Sequence, residues 1–276
     1  MKLQIFNKIP GHYEIIESII IKHKEIIGNN SISQIYLKVH DWDTSFREYI
    51  KSKYPRIIFD MIFDFDFHIN CSVYPKHFDM IKNLNAKQFF FISHDIHPKM
   101  TQLSNVFYLT PLGKRFIYAD KMAFQNQKKM NSRIAIYVVQ GHLEKRRRNI
   151  QLLLNILEVS YKFPYIIKVV GKGELDPKFI KYKHVIHKSD KDFQGYHKEF
   201  LDCYCILPLT LPESNPQYYK TKLTSSINYA RGYKLKCLCD QKLQNIYKLP
   251  NVECYTNEKN IVEAFRKTLH QFYKSK

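Results

Sequence analysis

Apolar positions recur along the chain in two alternating rhythms. Short runs of branched and aromatic residues at 2–6, 35–39, 88–93, 106–109, 134–139, 165–170, 184–187, 203–208, 236–239 and 252–255 read as buried strands. Between them, apolar residues return every three to four positions over 13–27, 44–53, 76–83, 145–160, 192–202, 222–231, 241–247 and 260–273, the spacing of helices packed on a sheet. In the first of these, Ile15, Ile16, Ile19 and Ile20 form the stripe and Gly28 closes it. The stretch 55–70 is apolar and aromatic throughout and predicts one or two strands. Such alternation predicts an α/β architecture with mostly parallel sheets. Residues 112–133 interrupt it with basic and amide side chains, which predicts two domains, 1–120 and 121–276. Ligands of such folds gather at the carboxyl ends of the strands.

One turn departs from the pattern. Gly141 ends strand 134–139, and the stripe Ile150, Leu153, Leu154, Leu157 begins beyond it. Lys145, Arg146, Arg147 and Arg148 fall in the predicted first turn of that helix, where the macrodipole favours acidic side chains. Free N–H groups with added guanidinium groups suit a phosphate or diphosphate; a solvated basic turn is the alternative. Further on, Thr224 and Ser225 stand at the start of another predicted helix beside Lys222. Hydroxyl caps, N–H groups and a point charge suit an anion there too, or an ordinary helix cap.

Charge reinforces this picture. The chain of 276 residues carries a formal charge of +19. Residues 1–130 contribute +6 and the remainder +13, so the excess lies with the arginine cluster. Such a field favours nucleotides, nucleic acid or an anionic membrane surface. A hydrophobic content of 45% with 14% aromatic residues excludes wholesale disorder. The abundance of Lys, Ile, Asn and Tyr is also what AT-rich coding produces.

Several short motifs then fall in order. Gly141-His142-Leu143-Glu144 followed by Arg147, Arg148 and Asn149 resembles the G-x-L-E-x-R-K-N signature of family-4-like glycosyltransferases, with one inserted residue and Arg148 for the Lys. Phe91-Ile92-Ser93-His94-Asp95-Ile96-His97-Pro98 resembles their I-H-D-x-x-P, Val169-Val170-Gly171-Lys172-Gly173 their strand and G-x-G turn, and Ala230-Arg231-Gly232 their A-x-G. The resemblance spans residues 91–240. It implies a GT-B fold: α/β, two Rossmann-like domains facing across a cleft. It implies a nucleotide-diphosphate sugar as co-substrate, held mainly by the C-terminal domain, with no cofactor. No metal is expected if Arg, Lys and helix dipoles neutralise the leaving diphosphate. The acceptor would be a glycan, lipid or protein. The resemblance puts Arg147 and Arg148 near the diphosphate, Gly141, Gly171 and Gly173 at the donor, Gly11 close to its phosphates, and His94, followed by Asp95, at the reacting sugar. The chain departs from the family at the paired glutamates of E-x₇-E, whose positions hold Tyr219 and Ile227. Glu213 is the nearest carboxylate and its candidate replacement, with Lys222, Thr224 and Ser225 as further donor contacts.

Competing motifs are weaker. Asp64-Phe65-Asp66 is a D-x-D, and His94, Asp95 and His97 are potential ligands without a distant partner. A basic nucleic-acid-binding protein is the alternative class, but no helix-turn-helix, ribonucleoprotein or zinc-finger signature occurs, so no nucleic-acid partner is expected. Cys203/Cys205 and Cys237/Cys239 lie in apolar runs and read as reduced core thiols. The start lacks a signal-peptide pattern and no run is long enough to span a membrane, which predicts a cytoplasmic protein with peripheral contact at an anionic membrane left open.

Overall fold

A computed structural model describes residues 1–8, 13–39, 44–127, 132–141, 143–144 and 146–276. It divides into two compact units. The first is Met1–Ala123 with two short returns, Asp192–Gln194 and Thr221–Leu223; the second is Phe124–Lys191, Gly195–Lys220 and Thr224–Lys276.

The first unit runs β1 (Lys2–Asn7), α1 (Tyr13–Ile27), β2 (Gln34–Val39), α2 (Thr44–Lys53), β3 (Phe67–Val73), α3 (Phe78–Ile81), β4 (Phe89–Ser93), β5 (Val106–Tyr108). All pairings are parallel, in the order β2-β1-β3-β4-β5. The isoleucine stripe of α1 is buried, and Gly28 leaves the helix at φ +79°, a conformation that glycine adopts without strain. Glu17 on α1 is buried as well. It accepts from Tyr49 and Tyr54 at 3.0 Å and pairs with Lys53 at 2.5 Å, which clips α1 to α2. The apolar stretch 55–70 yields one strand, from Phe67 onward. Before it, Ile58 makes a single bridge to Tyr36, and Phe63 stands 85% exposed.

The second unit continues with β6 (Ala135–Gln140), α4 (Ile150–Leu157), β7 (Tyr165–Val170), α5 (Pro177–Ile180), β8 (Val185–Lys188), α6 (Phe193–Lys198), β9 (Cys205–Ile206), α7 (Gln217–Lys220), α8 (Ser225–Gly232), β10 (Lys236–Asp240), α9 (Gln241–Tyr247), β11 (Val252–Tyr255) and α10 (Ile261–Lys274). Phe193 and Gln194 of α6 belong to the first unit. The sheet is parallel, ordered β11-β10-β9-β6-β7-β8. Its core joins Tyr137 and Leu153 to Phe265 and Leu269 of α10. The Tyr137 and Phe265 rings lie 4.3 Å apart, and the Tyr137 hydroxyl meets that of Thr268 at 2.8 Å. Cys203, Cys205, Cys237 and Cys239 are buried free thiols. The chain leaves β6 toward β7 and β8 on one side and returns to β9 on the other. Such reversals make a crevice at the strands' carboxyl ends.

Helices α4 and α8 begin well after the start that their periodicity predicts. Residues 145–160 were expected to form one helix, but α4 starts at Ile150. Asn149 caps it, its side chain accepting from the Gln151 amide at 3.0 Å. Residues 222–231 give α8 only from Ser225. Lys222 instead pairs in an extended bridge with Asp95, and the Ile96 amide donates to the Thr221 carbonyl at 2.8 Å. Among the described residues no helix is long and apolar enough to cross a membrane.

Candidate functional site

The carboxyl end of β6 is built around Gln140 and Gly141. Gly141 turns the chain at φ +85°, and its amide donates to the Val170 carbonyl at 2.8 Å. Gly171 packs directly on that turn: a Cβ there would lie 2.7 Å from the Gly141 carbonyl carbon and oxygen. This backbone contact accounts for a glycine at 171, whereas Gly173 takes φ +92° in the next turn. Gly141, Leu143, Glu144, Val169, Lys172, Gly173, Glu174, Leu175 and His187 line a cavity of about 220 Å³.

After Gly141 the chain folds back, with the amides of Arg147 and Arg148 both donating to the Glu144 carbonyl at 2.8 Å. The described arginines therefore precede the cap of α4 and do not occupy its first turn. The expected conflict with the helix dipole is corrected accordingly: Asn149 takes the cap, and the basic residues sit in the turn before it. Lys145 and His142 lie outside the described residues. Arg146 and Arg147 reach the Glu144 carboxylate at 2.5 and 3.7 Å and remain largely exposed.

Among the described members of the cluster, Arg148 alone turns inward, to 4% exposure. Its Nη2 donates to the Gln140 carbonyl at 2.6 Å and to the Ser226 hydroxyl at 3.2 Å; Nη1 donates to the Arg147 carbonyl at 2.8 Å. Nε has no partner among the described residues, and none of their carboxylates pairs with the guanidinium. Burial lowers the Arg148 pKa, with Tyr218 acting against that shift; an arginine stays charged regardless. Gln140 links Arg148 to α8: its side-chain oxygen accepts from Ser225 at 2.8 Å and Ser226 at 3.4 Å, and its amide donates to the Tyr196 hydroxyl at 2.9 Å. Ser225 thus braces Gln140. Thr224, at the cap of α8, makes no capping bond; its Oγ1 is buried and unpartnered among the described residues. The first amides of a helix have no acceptor within it, so Arg148 and the start of α8 make a cationic, donor-rich corner.

The sequence reading missed Gln140 and Tyr196, and placed Ser226 only in a hydroxyl-rich helix start, not against Arg148. A polar residue closing the apolar run IAIYVVQ was the available signal for Gln140; Tyr196 comes from a distant segment and gave none. Glu213 is exposed in the loop before α7. Of the two positions where the resemblance expects glutamate, Ile227 is fully buried and the Tyr219 hydroxyl meets Thr210 at 3.2 Å.

In the first unit, His94 follows the carboxyl end of β4. It is 9% exposed and stacks on Tyr74, with ring centroids 6.2 Å apart. The Asp95 carboxylate meets Lys222 at 3.4 Å, and the Asp95 carbonyl accepts from Ser93 at 2.8 Å. Lys222, expected to bind phosphate, is here the partner of Asp95. Gly11 lies outside the described residues. Asp64 pairs with the Lys2 ammonium, and Asp66 accepts from the Lys2 amide, both at 2.6 Å. This D-x-D therefore stands at the amino end of β1, away from the edge where α/β ligands collect. Lys2 also holds the Asp64 carboxyl below its ordinary pKa. Among the described residues no group of three or more His, Cys, Asp or Glu is arranged to hold a metal ion.

No known family model matches the chain, and no curated protein matches it. Solved structures do. Anabaena HepE in complex with UDP-glucose superposes with a TM-score of 0.62 over 99% of this chain and 91% of that one, at 10% identity. A glycosyltransferase from Rickettsia africae gives 0.59, with 98% and 89% coverage at 9% identity. The fold is GT-B. The likeness extends beyond transferases: a Neisseria meningitidis UDP-GlcNAc 2-epimerase bound to UDP-GlcNAc gives 0.52, with 99% and 92% coverage at 11% identity. At such identities the GT-B likeness describes architecture, and activity has to be argued from this chain's own residues.

Proposed function

We propose that this GT-B protein is a glycosyltransferase related to family 4 that takes its sugar from a nucleotide-diphosphate donor. The observation that carries the reading is Arg148: a buried guanidinium with no carboxylate partner among the described residues, beside the N-terminus of α8 and a Thr224 hydroxyl that is likewise unpartnered among them. A buried charge lacking a counter-charge is costly, and a diphosphate would complete it. The motifs around Gly141 and Gly171 and the UDP-glucose bound by HepE favour the same ligand.

In the reaction, the bond from the anomeric carbon to the β-phosphate oxygen breaks, an acceptor oxygen bonds to that carbon, and the acceptor proton leaves with a base. Charge develops on the departing nucleoside diphosphate, and preorganised donors aimed at it lower the barrier most. Arg148 and the first amides of α8 fill that role without a metal. Arg147, exposed beside them, adds a charge at the rim. His94 is the first unit's candidate for the transferred sugar, resting on its strand-end position and on the family motif. The acceptor is a glycan, lipid or protein.

A thermal-shift panel of nucleotide-diphosphate sugars tests the donor, and product analysis tests the reaction. Stabilisation by one donor class, with release of its nucleoside diphosphate in the presence of acceptor, is expected. A donor recovered as its C2 epimer would place the chain with the epimerases instead. No stabilisation by any nucleotide sugar would refute both.

A further inference from the structure

The loops entering β6, β7 and β8 share the amino edge of the second sheet, at the far end of these strands from Gln140 and Gly141. Because the three strands are parallel neighbours, residues 132–134, 162–164 and 181–184 align along that edge. Side chains tie the loops together. The Tyr165 hydroxyl meets the His184 ring at 2.9 Å, Phe163 stacks on Tyr273 at 4.6 Å, and Tyr273 donates to the Pro164 carbonyl at 2.9 Å. Lys276 reaches the Ser132 carbonyl.

The edge is strongly basic, with Glu158 and Asp176 the carboxylates next to it in sequence. Arg133, Lys162, Lys181, Lys183, Lys274 and Lys276 lie on it, and segments 132–134, 159–165, 177–188 and 272–276 contain no Asp or Glu. One large aliphatic side chain stands among them. Phe179 is fully buried and anchors the turn, while the adjacent Ile180 is 69% exposed. Phe163 and Tyr182 are half-buried, each with a lysine over its ring, Lys162 at 5.6 Å and Lys181 at 5.0 Å.

We propose that this amino edge docks on an anionic lipid bilayer. Clustered lysines match the negative surface potential of such membranes. Their alkyl stems lie along apolar surface while the ammonium groups reach the headgroups, and Ile180, with Tyr182 near it, supplies the part that enters the interface. A nucleic acid fits less well: the cluster holds one Arg among lysines, the Phe163 ring is already covered by Tyr273 and Lys162, and an exposed Ile has nothing to contact on a phosphate backbone. The inference does not depend on the donor reading.

The test is sedimentation of the full chain with phosphatidylcholine vesicles, with and without phosphatidylserine. Binding is expected only with phosphatidylserine and should weaken as salt rises. Lys181→Glu/Lys183→Glu should lower partitioning at least about ten-fold, and Ile180→Ser should lower it at unchanged charge. These side chains lie at the surface, so melting temperatures should hold; should the charge reversal unfold the chain, Ile180→Ser carries the test alone. Absence of phosphatidylserine-dependent binding, or equal binding by wild type and Ile180→Ser, overturns the proposal. So does tighter binding to a single-stranded oligonucleotide that Ile180→Ser leaves intact and the charge reversal removes.

Discussion

Glu17 and Arg148 are both buried charges, and the two units complete them differently. Glu17, 1% exposed, is surrounded by the partners it needs: two tyrosine hydroxyls and an ammonium within 3.0 Å. Burial and the nearby Glu17 carboxylate push the Tyr54 pKa above its ordinary value, as expected of a hydroxyl held in donor form. Arg148, 4% exposed, has two carbonyls and one serine hydroxyl, an unpartnered Nε, and no carboxylate among the described residues. A charge completed by its own fold stabilises that fold. One left incomplete costs stability and marks where a ligand of opposite sign belongs.

Stability measurements should therefore separate the two residues by the size of the loss. Glu17→Ala leaves two tyrosine hydroxyls without their acceptor, while the exposed Lys53 ammonium turns to water, so the loss should be about 1–3 kcal/mol. Urea unfolding should show the loss, with donor-induced stabilisation of the surviving folded protein unchanged. A variant as stable as wild type would mean that Glu17 is no clip.

His68 shows a third treatment, of a half-buried titratable group, which is to keep it neutral. It lies among Phe6, Phe65 and Phe89, and burial pulls its pKa down to about 4 from 6.5. The unfolded chain takes up the proton near pH 6.5 and the folded chain not until about 4. The contribution of His68 is thus whole above the higher value and disappears as pH falls between them, up to roughly 3 kcal/mol. Unfolding curves across that range should steepen with acid in the wild type and flatten in His68→Phe. Parallel pH dependence in both would assign the effect to other groups.

Arg148→Met should behave opposite to Glu17→Ala. It removes a buried charge with no counter-charge among the described residues, so stability should fall by less than about 1 kcal/mol, or rise. Donor binding should nevertheless weaken by about 1.5–3 kcal/mol, the worth of a charge-assisted contact. Arg147→Ala, at the exposed rim, should lose less. A destabilised Arg148→Met that still binds donor like wild type would make Arg148 a second Glu17 and remove the comparison.

How far the sequence disclosed these features follows from the range of the forces involved. Helices α1, α2 and α9 were legible to the residue because their periodicity runs from end to end, and Gly28 punctuates the first. The parallel sheets were legible as class, since strands alternated with helices. The start of α4 was not: Lys145 to Arg148 have good helix propensity, and only the cap at Asn149 and the turn closed on the Glu144 carbonyl override it. The apolar stretch before Phe67 misled because exposed side chains such as Phe63 carry the same letters as buried ones. At the site, Arg148 and Gly141 were visible as local departures from pattern. The pairings of Arg148 with Ser226 and of Gln140 with Tyr196 depend on how distant segments meet, which no local rule encodes.

The smallest expected effect concerns Lys222 and Asp95, a pair between the completed and incomplete cases. Their contact is 3.4 Å and both side chains are partly exposed, 42% and 27%. Exposed pairs of this kind contribute about 0–1 kcal/mol, and the backbone bridge beside it does not need the side chains. Lys222→Met and Asp95→Asn should each cost less than about 1 kcal/mol, and the double variant should cost little more than either single one, because the coupling is lost once. Turnover distinguishes this from the anion role that the sequence suggested for Lys222. If the ammonium leaves Asp95 for the departing diphosphate, Lys222→Met lowers kcat while Asp95→Asn, which frees the lysine, holds or raises it. If the pair only fastens the segment 221–223, the two variants change kcat together, and Lys222 belongs with Glu17 among the charges that the fold completes for itself.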